Sequence, residues 1–293
     1  MLARNDKMDG CRSNKRVLEG ELKKGFFVFF IWWALVSLLI SWAPLAFGYE
    51  AVPVKDGGTL KGVVELEGGV PEPRTFPAVL YPFGPLCQKN QRISDGKGNI
   101  FLRDVIMGPN EGLKDVVVAI EGVEKGKPFK TLKPEILSID CEFLPSVTVV
   151  QNHGEFIMKN EDPVLHNSQV YQAGKGNVIL NVPIPPNSTK THPIEFEKGR
   201  RIYQIICGMH EFMQTWGFAA ENPYYALTKE DGEFIIRDIP PGTYKVTAWH
   251  PIFDFMEKTV TIPPNGEVEL EFEFDSSDFE RSNYEIQKKF RIQ

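Results

Sequence analysis

From residue 50 onward the chain is a succession of short apolar alternations cut by glycine and proline. Thr59–Leu66, Val116–Ile120, Ser146–Val150, Glu155–Lys159, Ile202–Cys207, Glu233–Arg237, Thr243–Trp249, Lys258–Ile262 and Glu267–Phe274 all follow it. Alternation with period two is the signature of strands with one buried face, and no stretch beyond residue 50 shows a convincing period of 3.6. Many short strands between turn signals predict an all-β protein of sandwiches or barrels. A hydrophobic fraction of 42% supports packed cores, and 293 residues suggest two domains. The proline-rich stretch Pro71–Pro85 reads as a loop or linker, because proline presets φ and lacks an N–H. Residues 276–293 read as a polar, loosely attached tail with room for one short helix.

The N-terminal part is different. Residues 26–48 are uncharged and apolar, with Trp32, Trp33 and Trp42 among them. The 25 residues before them hold seven Lys/Arg against four Asp/Glu. A basic leader, an apolar helix and a small-residue exit at Ala46-Phe47-Gly48 are the parts of a cleaved signal peptide. The same run is also long enough for an uncleaved membrane anchor. Both readings export residues 49–293, to the periplasm or another compartment outside the cytoplasm. The exported part carries 26 basic and 35 acidic side chains, a balance that argues against nucleic acid as a partner.

The chemistry concentrates in Cys207-Gly208-Met209-His210-Glu211-Phe212-Met213, a C-x-x-H-x-x-M run, with His166-Asn167 upstream. Two imidazoles and a thiolate with a distant thioether are the ligands of a mononuclear electron-transfer copper site. Thiolate binds Cu(II) strongly and thioether favours Cu(I), so one donor set serves both oxidation states. Zinc fits less well, since a neutral thioether is a poor zinc ligand. A binuclear copper loop needs a second cysteine, which is absent. A Cys–His nucleophile lacks a group to orient the histidine and leaves Met213 without a role. Against any site stands the ordinary use of Cys and Met as core residues.

The stretch Ile136–Ala220 resembles a cupredoxin of the amicyanin or plastocyanin type. I-L-S-I-D-C-E-F-L-P-S-V-T-V-V resembles its opening strands, F-I-M-K-N-E-D-P-V-L-H-N the strand into the first ligand, and Y-Q-I-I-C-G-M-H-E-F-M the last strand and ligand loop. The resemblance implies a Greek-key sandwich over 130–222. It implies one copper ion held by His166, Cys207 and His210 with Met213 axial, and Asn167 bonding the ligand loop. It also implies a ring edge of His210 near the surface, with Met209, Phe212 and Trp216 as candidates for an apolar docking patch, although core aromatics fit Phe212 and Trp216 too. The function implied is single-electron transfer with a redox protein such as a cytochrome or an envelope oxidoreductase. Copper delivery or sequestration, and a structural envelope protein with an empty fold, are the alternatives.

Residues 224–251, with D-G-E-F and I-P-P-G-T-Y turns and the V-T-A-W strand, resemble part of a carboxypeptidase regulatory-like, or prealbumin-like, sandwich. Gly58–Val70 and Asp115–Val123 resemble its opening strands. The implied organisation is a discontinuous sandwich, 57–125 plus 223–275, around the cupredoxin-like part. No H-E-x-x-H occurs, and nothing points to an enzyme.

Cys87 and Cys141 are a candidate disulfide in an oxidising compartment, or else two buried thiols. Closing their loop would contribute about 3 to 4 kcal/mol in the chain-entropy treatment. His153 and His192 read as surface or locally bonded histidines. His250, in W-H-P, is the one with scope for a second polar site.

Overall fold

A computed structural model describes residues 49–130, 133–173, 178–196 and 201–278. The expected helix at 26–48 and the tail beyond 278 lie outside these residues. The described chain is all-β. Each of the nine alternating segments lies on a strand, such as Gly58–Glu67, Glu155–Asn160 and Glu267–Asp275.

One sandwich faces a four-stranded sheet against a five-stranded one. The first runs Ser188–Pro193, Glu155–Asn160, Glu135–Ile139, Glu142–Leu144; the second Val178–Ile184, His166–Gln172, Ile202–Cys207, Gln214–Ala220, Val147–Gln151. Phe156 and Met158 point inward by alternation and meet Val170, Ile205 and Cys207 in one apolar core. The other sandwich uses strands from both sides of the first in sequence. Tyr225–Leu227, Val117–Ile120, Gly242–His250 and Asp254–Ile262 form one sheet; Glu233–Ile239, Gly58–Glu67 and Glu267–Asp275 form the other. Leu60, Val64, Phe234 and Phe272 fill its core against Val118, Val246 and Val260.

The two sandwiches share an interior. Val117, Ala119 and Trp249 of the second pack with Val147, Ile202, Trp216 and Phe218 of the first. Arg201 lies across this seam, pairing with Glu121 at 2.5 Å and covering the Phe218 ring at 4.3 Å. Double-sided cover explains why all residues of Ile202–Cys207 and Gln214–Ala220 are buried.

The proline-rich stretch departs from the loop expectation. Arg74–Pro77 pairs antiparallel with Asn99–Leu102, followed by a 3-10 turn at Ala78–Leu80 and a helical turn at Gly84–Cys87. Ala78, Cys87, Ile93 and Ile100 join the core of the first sandwich, so this excursion from the second sandwich is a lid on the first. A disulfide joins Cys87 to Cys141, with Cα atoms 5.3 Å apart, and pins the lid.

Candidate metal centre

The strand ends bring the donors together. His166 opens its strand, Cys207 closes the neighbouring one, and Ser168 is the register partner of Cys207. A tight turn follows Cys207: the N–H of His210 donates to the carbonyl of Cys207 at 3.2 Å, and that of Met213 to the carbonyl of His210 at 2.9 Å. Cys207 N–H closes the loop on the carbonyl of Met213 at 3.0 Å. His166 and His210 are fully buried, and Cys207 and Met213 nearly so.

His166 Nδ1 and His210 Nδ1 lie 3.2 Å apart, and Cys207 Sγ lies 3.7 Å from the first and 3.6 Å from the second. These three are the one cluster of His, Cys, Asp or Glu with metal-ligand spacing among the described residues. The outer partners set the tautomers. His166 Nε2 bonds Asp162 Oδ2 at 2.8 Å, and His210 Nε2 bonds the carbonyl oxygen of Pro82 at 2.7 Å. A carbonyl only accepts, so Nε2 of His210 carries the proton and its Nδ1 presents a lone pair inward. In the neutral imidazole the same holds for His166 against the carboxylate. A point equidistant from the three donor atoms lies about 2.0 Å from each, the length of a first-row metal–imidazole bond. The donor set therefore fits a mononuclear ion of copper type, with Met213 held in the same loop.

The charges are coupled. Burial works against ionised Cys207, but the His166 and His210 rings beside the sulfur and the backbone N–H groups of Asn167 and Met209 outweigh it and bring the thiol down to about 6. Burial likewise opposes a charged His166, and the bonds to Asp162 and Cys207 outweigh it and raise the ring to about 9. Asp162 is held below the usual carboxylate range despite burial, by His166 and the N–H of Cys141, which donates to Oδ2 at 3.0 Å. The preference of Cys207 for thiolate is the state a metal needs.

Asn167 reaches the ligand loop through its backbone, its carbonyl accepting from Gly208 N–H at 2.8 Å. Its side-chain Oδ1 is buried without a partner. The surface expectation for His210 needs correction: its ring is buried beneath the lid. Phe212 and Trp216 are buried too, and Met209 is half-buried, so they form no exposed patch. Phe212 meets Tyr81 of the lid edge-on at 5.2 Å, and Trp216 belongs to the seam. Asp162 and Pro82 are the residues that sequence reasoning passed over. The D-x-x-x-H spacing of Asp162 and His166 was a usable sign of a carboxylate–histidine pair. Nothing local marks Pro82.

Of the other histidines, His153 is exposed 3.9 Å from Glu195. His192 has a buried Nε2 without a partner. His250 is buried, and its Nδ1 accepts from Ile252 N–H at 3.2 Å.

Residues 220–273 match the family model described as the second beta-sandwich domain of the BOS complex subunit NOMO1-like proteins. No curated protein matches the chain. Among solved structures it is similar to a purple cupredoxin from Nitrosopumilus maritimus, 18% identical over 30% of this chain and 99% of that one, with a TM-score of 0.26. Amicyanin from Paracoccus versutus is 13% identical, over 35% of this chain and 97% of that one, at 0.26. A copper-containing nitrite reductase from Thermus scotoductus is 15% identical, over 33% of this chain and 24% of that one, at 0.27.

Proposed function

We propose that this is an exported type 1 copper protein that carries single electrons between redox partners in the cell envelope and has no substrate chemistry of its own. One observation carries the reading: the Nδ1 atoms of two imidazoles, each ring held from outside through its Nε2, and the sulfur of Cys207 converge within 3.2–3.7 Å in a closed apolar site. His166, Cys207 and His210 would hold one copper ion, with the Met213 thioether available as a further soft donor. Bound copper would supply the one-electron couple. The chain's own residues orient the donors and exclude water, and rigid donors need little rearrangement when the charge changes. Burial of all four side chains disfavours copper delivery, which needs an accessible ion. The sandwich of 57–125 and 223–275 would position the 130–222 sandwich in the envelope, by signal cleavage or by an N-terminal anchor. The partner would be a cytochrome or an envelope oxidoreductase.

Loading with one equivalent of Cu(II) tests this. An intense visible thiolate band and reversible voltammetry are expected, and Cys207→Ala is expected to be colourless. A colourless, redox-silent wild type under copper loading would sink the proposal.

A further inference from the structure

A cavity of about 260 Å³ lies where the lid meets both sandwiches. Its walls come from the end of the lid strand Asn99–Leu102, the turn before Val117–Ile120, and the strand Glu142–Leu144 with the residues after it. Phe101, Phe143, Leu144, Trp216 and Pro251 give it an apolar lining. Ligand sites favour such junctions, and this volume is just below the roughly 300 Å³ at which drug-sized pockets begin.

The charges in the wall do not all find partners. Arg92 pairs with Glu142 at 2.7 Å, Asp104 with Arg74 at 2.6 Å, and Lys114 with Glu230 at 3.5 Å. Two groups remain. Asp115 is only 9% exposed, and among the described residues its carboxylate accepts no hydrogen bond and joins no ion pair. Exposed Arg103 joins no ion pair among them either; its guanidinium donates to the carbonyl of Arg92 and lies 5.9 Å from the Phe101 ring centroid.

A buried carboxylate ordinarily has donors around it. Burial pushes Asp115 up to about 6, and only the charge of neighbouring Lys114 works the other way. The backbone does not let the side chain withdraw. Asp115 sits in the left-handed region at φ 65°. Its N–H bonds the carbonyl of Thr228 at 3.3 Å, and the flanking N–H groups of Lys114 and Val116 bond the Ile106 carbonyl at 3.0 Å and Thr228 Oγ1 at 2.9 Å. An acceptor fixed in a cavity wall without a donor is complementary to N–H groups of a ligand, and aromatic walls favour a cation beside it.

We infer that this cavity binds a small zwitterion of the amino-acid class, its ammonium group on Asp115, its carboxylate on Arg103 and its hydrocarbon part between Phe101, Phe143 and Trp216. The ammonium supplies the donors that Asp115 lacks. The carboxylate answers the one wall guanidinium without an acidic partner. A neutral apolar ligand would leave both charges as they are, and an anion would meet Asp115 with like charge. The inference rests on no bound metal.

The test uses the full exported chain, copper-free, and follows backbone amide resonances during titration. L-Leucine and 6-aminohexanoate are the probes, since they are isomers that differ in the separation of their charges. Pentylamine, 3-methylbutylamine and hexanoate are the controls with a single charge. At least one isomer is expected to bind saturably and to shift resonances at 101–104, 114–116 and 142–147. Both amines should bind about tenfold more weakly than that isomer, and hexanoate should not bind. Asp115→Asn keeps the shape and tolerates the left-handed backbone, so it is expected to abolish binding without lowering the urea midpoint. Arg103→Gln, at the exposed mouth, guards against a folding defect and is expected to weaken the isomer about tenfold while leaving the amines unchanged. Absence of binding by both isomers, a footprint elsewhere, or equal affinity in wild type and Asp115→Asn overturns the inference. So does a single-charge control that binds as tightly as the better isomer.

Discussion

The carbonyl oxygen of Pro82 lies 2.7 Å from Nε2 of His210, although 128 residues separate them in sequence. The contact ties the lid to the ligand loop. It fixes the tautomer of His210 and places that ring beneath protein instead of at the surface.

Asp162 orients His166 and accepts from Cys141 N–H as well. Removing the carboxylate in Asp162→Ala leaves both buried donors without their partner. The copper-free chain is expected to lose about 1–3 kcal/mol per orphaned donor. Copper affinity should fall about tenfold to a hundredfold. Urea denaturation and competition with a Cu(I) chelator give the two values.

The Cys87–Cys141 disulfide closes a loop with a sequence separation of 54. Replacing both cysteines by serine is expected to cost about 4 kcal/mol of stability in the chain-entropy treatment. Copper loss to an external chelator should also quicken, since the lid is then held by noncovalent contacts alone. Unchanged release kinetics in the double variant would mean that the lid does not control access.

Gly84→Ala tests the turn itself. Its methyl group would meet the buried carbonyl of Ala78. Overpacking of this kind is expected to destabilise by about 1–3 kcal/mol and to displace the lid. Faster amide exchange from Ala78 to Cys87, with little change in the second sandwich, is the expected pattern.

His250 gives a pH dependence with a defined sign. Burial pushes its folded-state pKa down to about 3. The unfolded ring binds a proton near pH 6.5, so between these values the unfolded state holds more protons. Stability contributed by keeping this ring neutral is present above about pH 6.5 and is lost as pH falls towards 3, by up to about 1.4 kcal/mol per pH unit. His250→Asn keeps an acceptor for Ile252 N–H and removes the titration. Between pH 7 and pH 5 the wild type should lose about 2 kcal/mol more than the variant in urea denaturation.

Much of the fold was readable where one face of a strand is buried. Glu155–Asn160 and Glu267–Asp275 alternate because their other face meets solvent. Gln214–Ala220 does not alternate, because the seam buries both of its faces. His166–Gln172 escaped detection because it buries polar side chains, Ser168 and Gln172 among them. Arg74–Pro77 was hidden by its prolines, which tolerate a short ribbon edge while signalling a loop. At the site, the donors are local to two strand ends and their spacing shows in sequence. What covers His210 is decided by a distant segment, so closeness in sequence put Met209, Phe212 and Trp216 in a patch that the fold places elsewhere.

The seam has a consequence for how such a chain can be inherited or engineered. Phe218 and Trp249 meet at 5.9 Å between ring centroids, one from each sandwich. Cutting between them would expose Trp216 and Phe218 on one fragment and Val117 and Trp249 on the other. The half that carries His210 is therefore not a cassette that recombination can lift out and graft onto another scaffold. Its surroundings, lid included, must travel with it, and sequence drift in either half is answerable to the other.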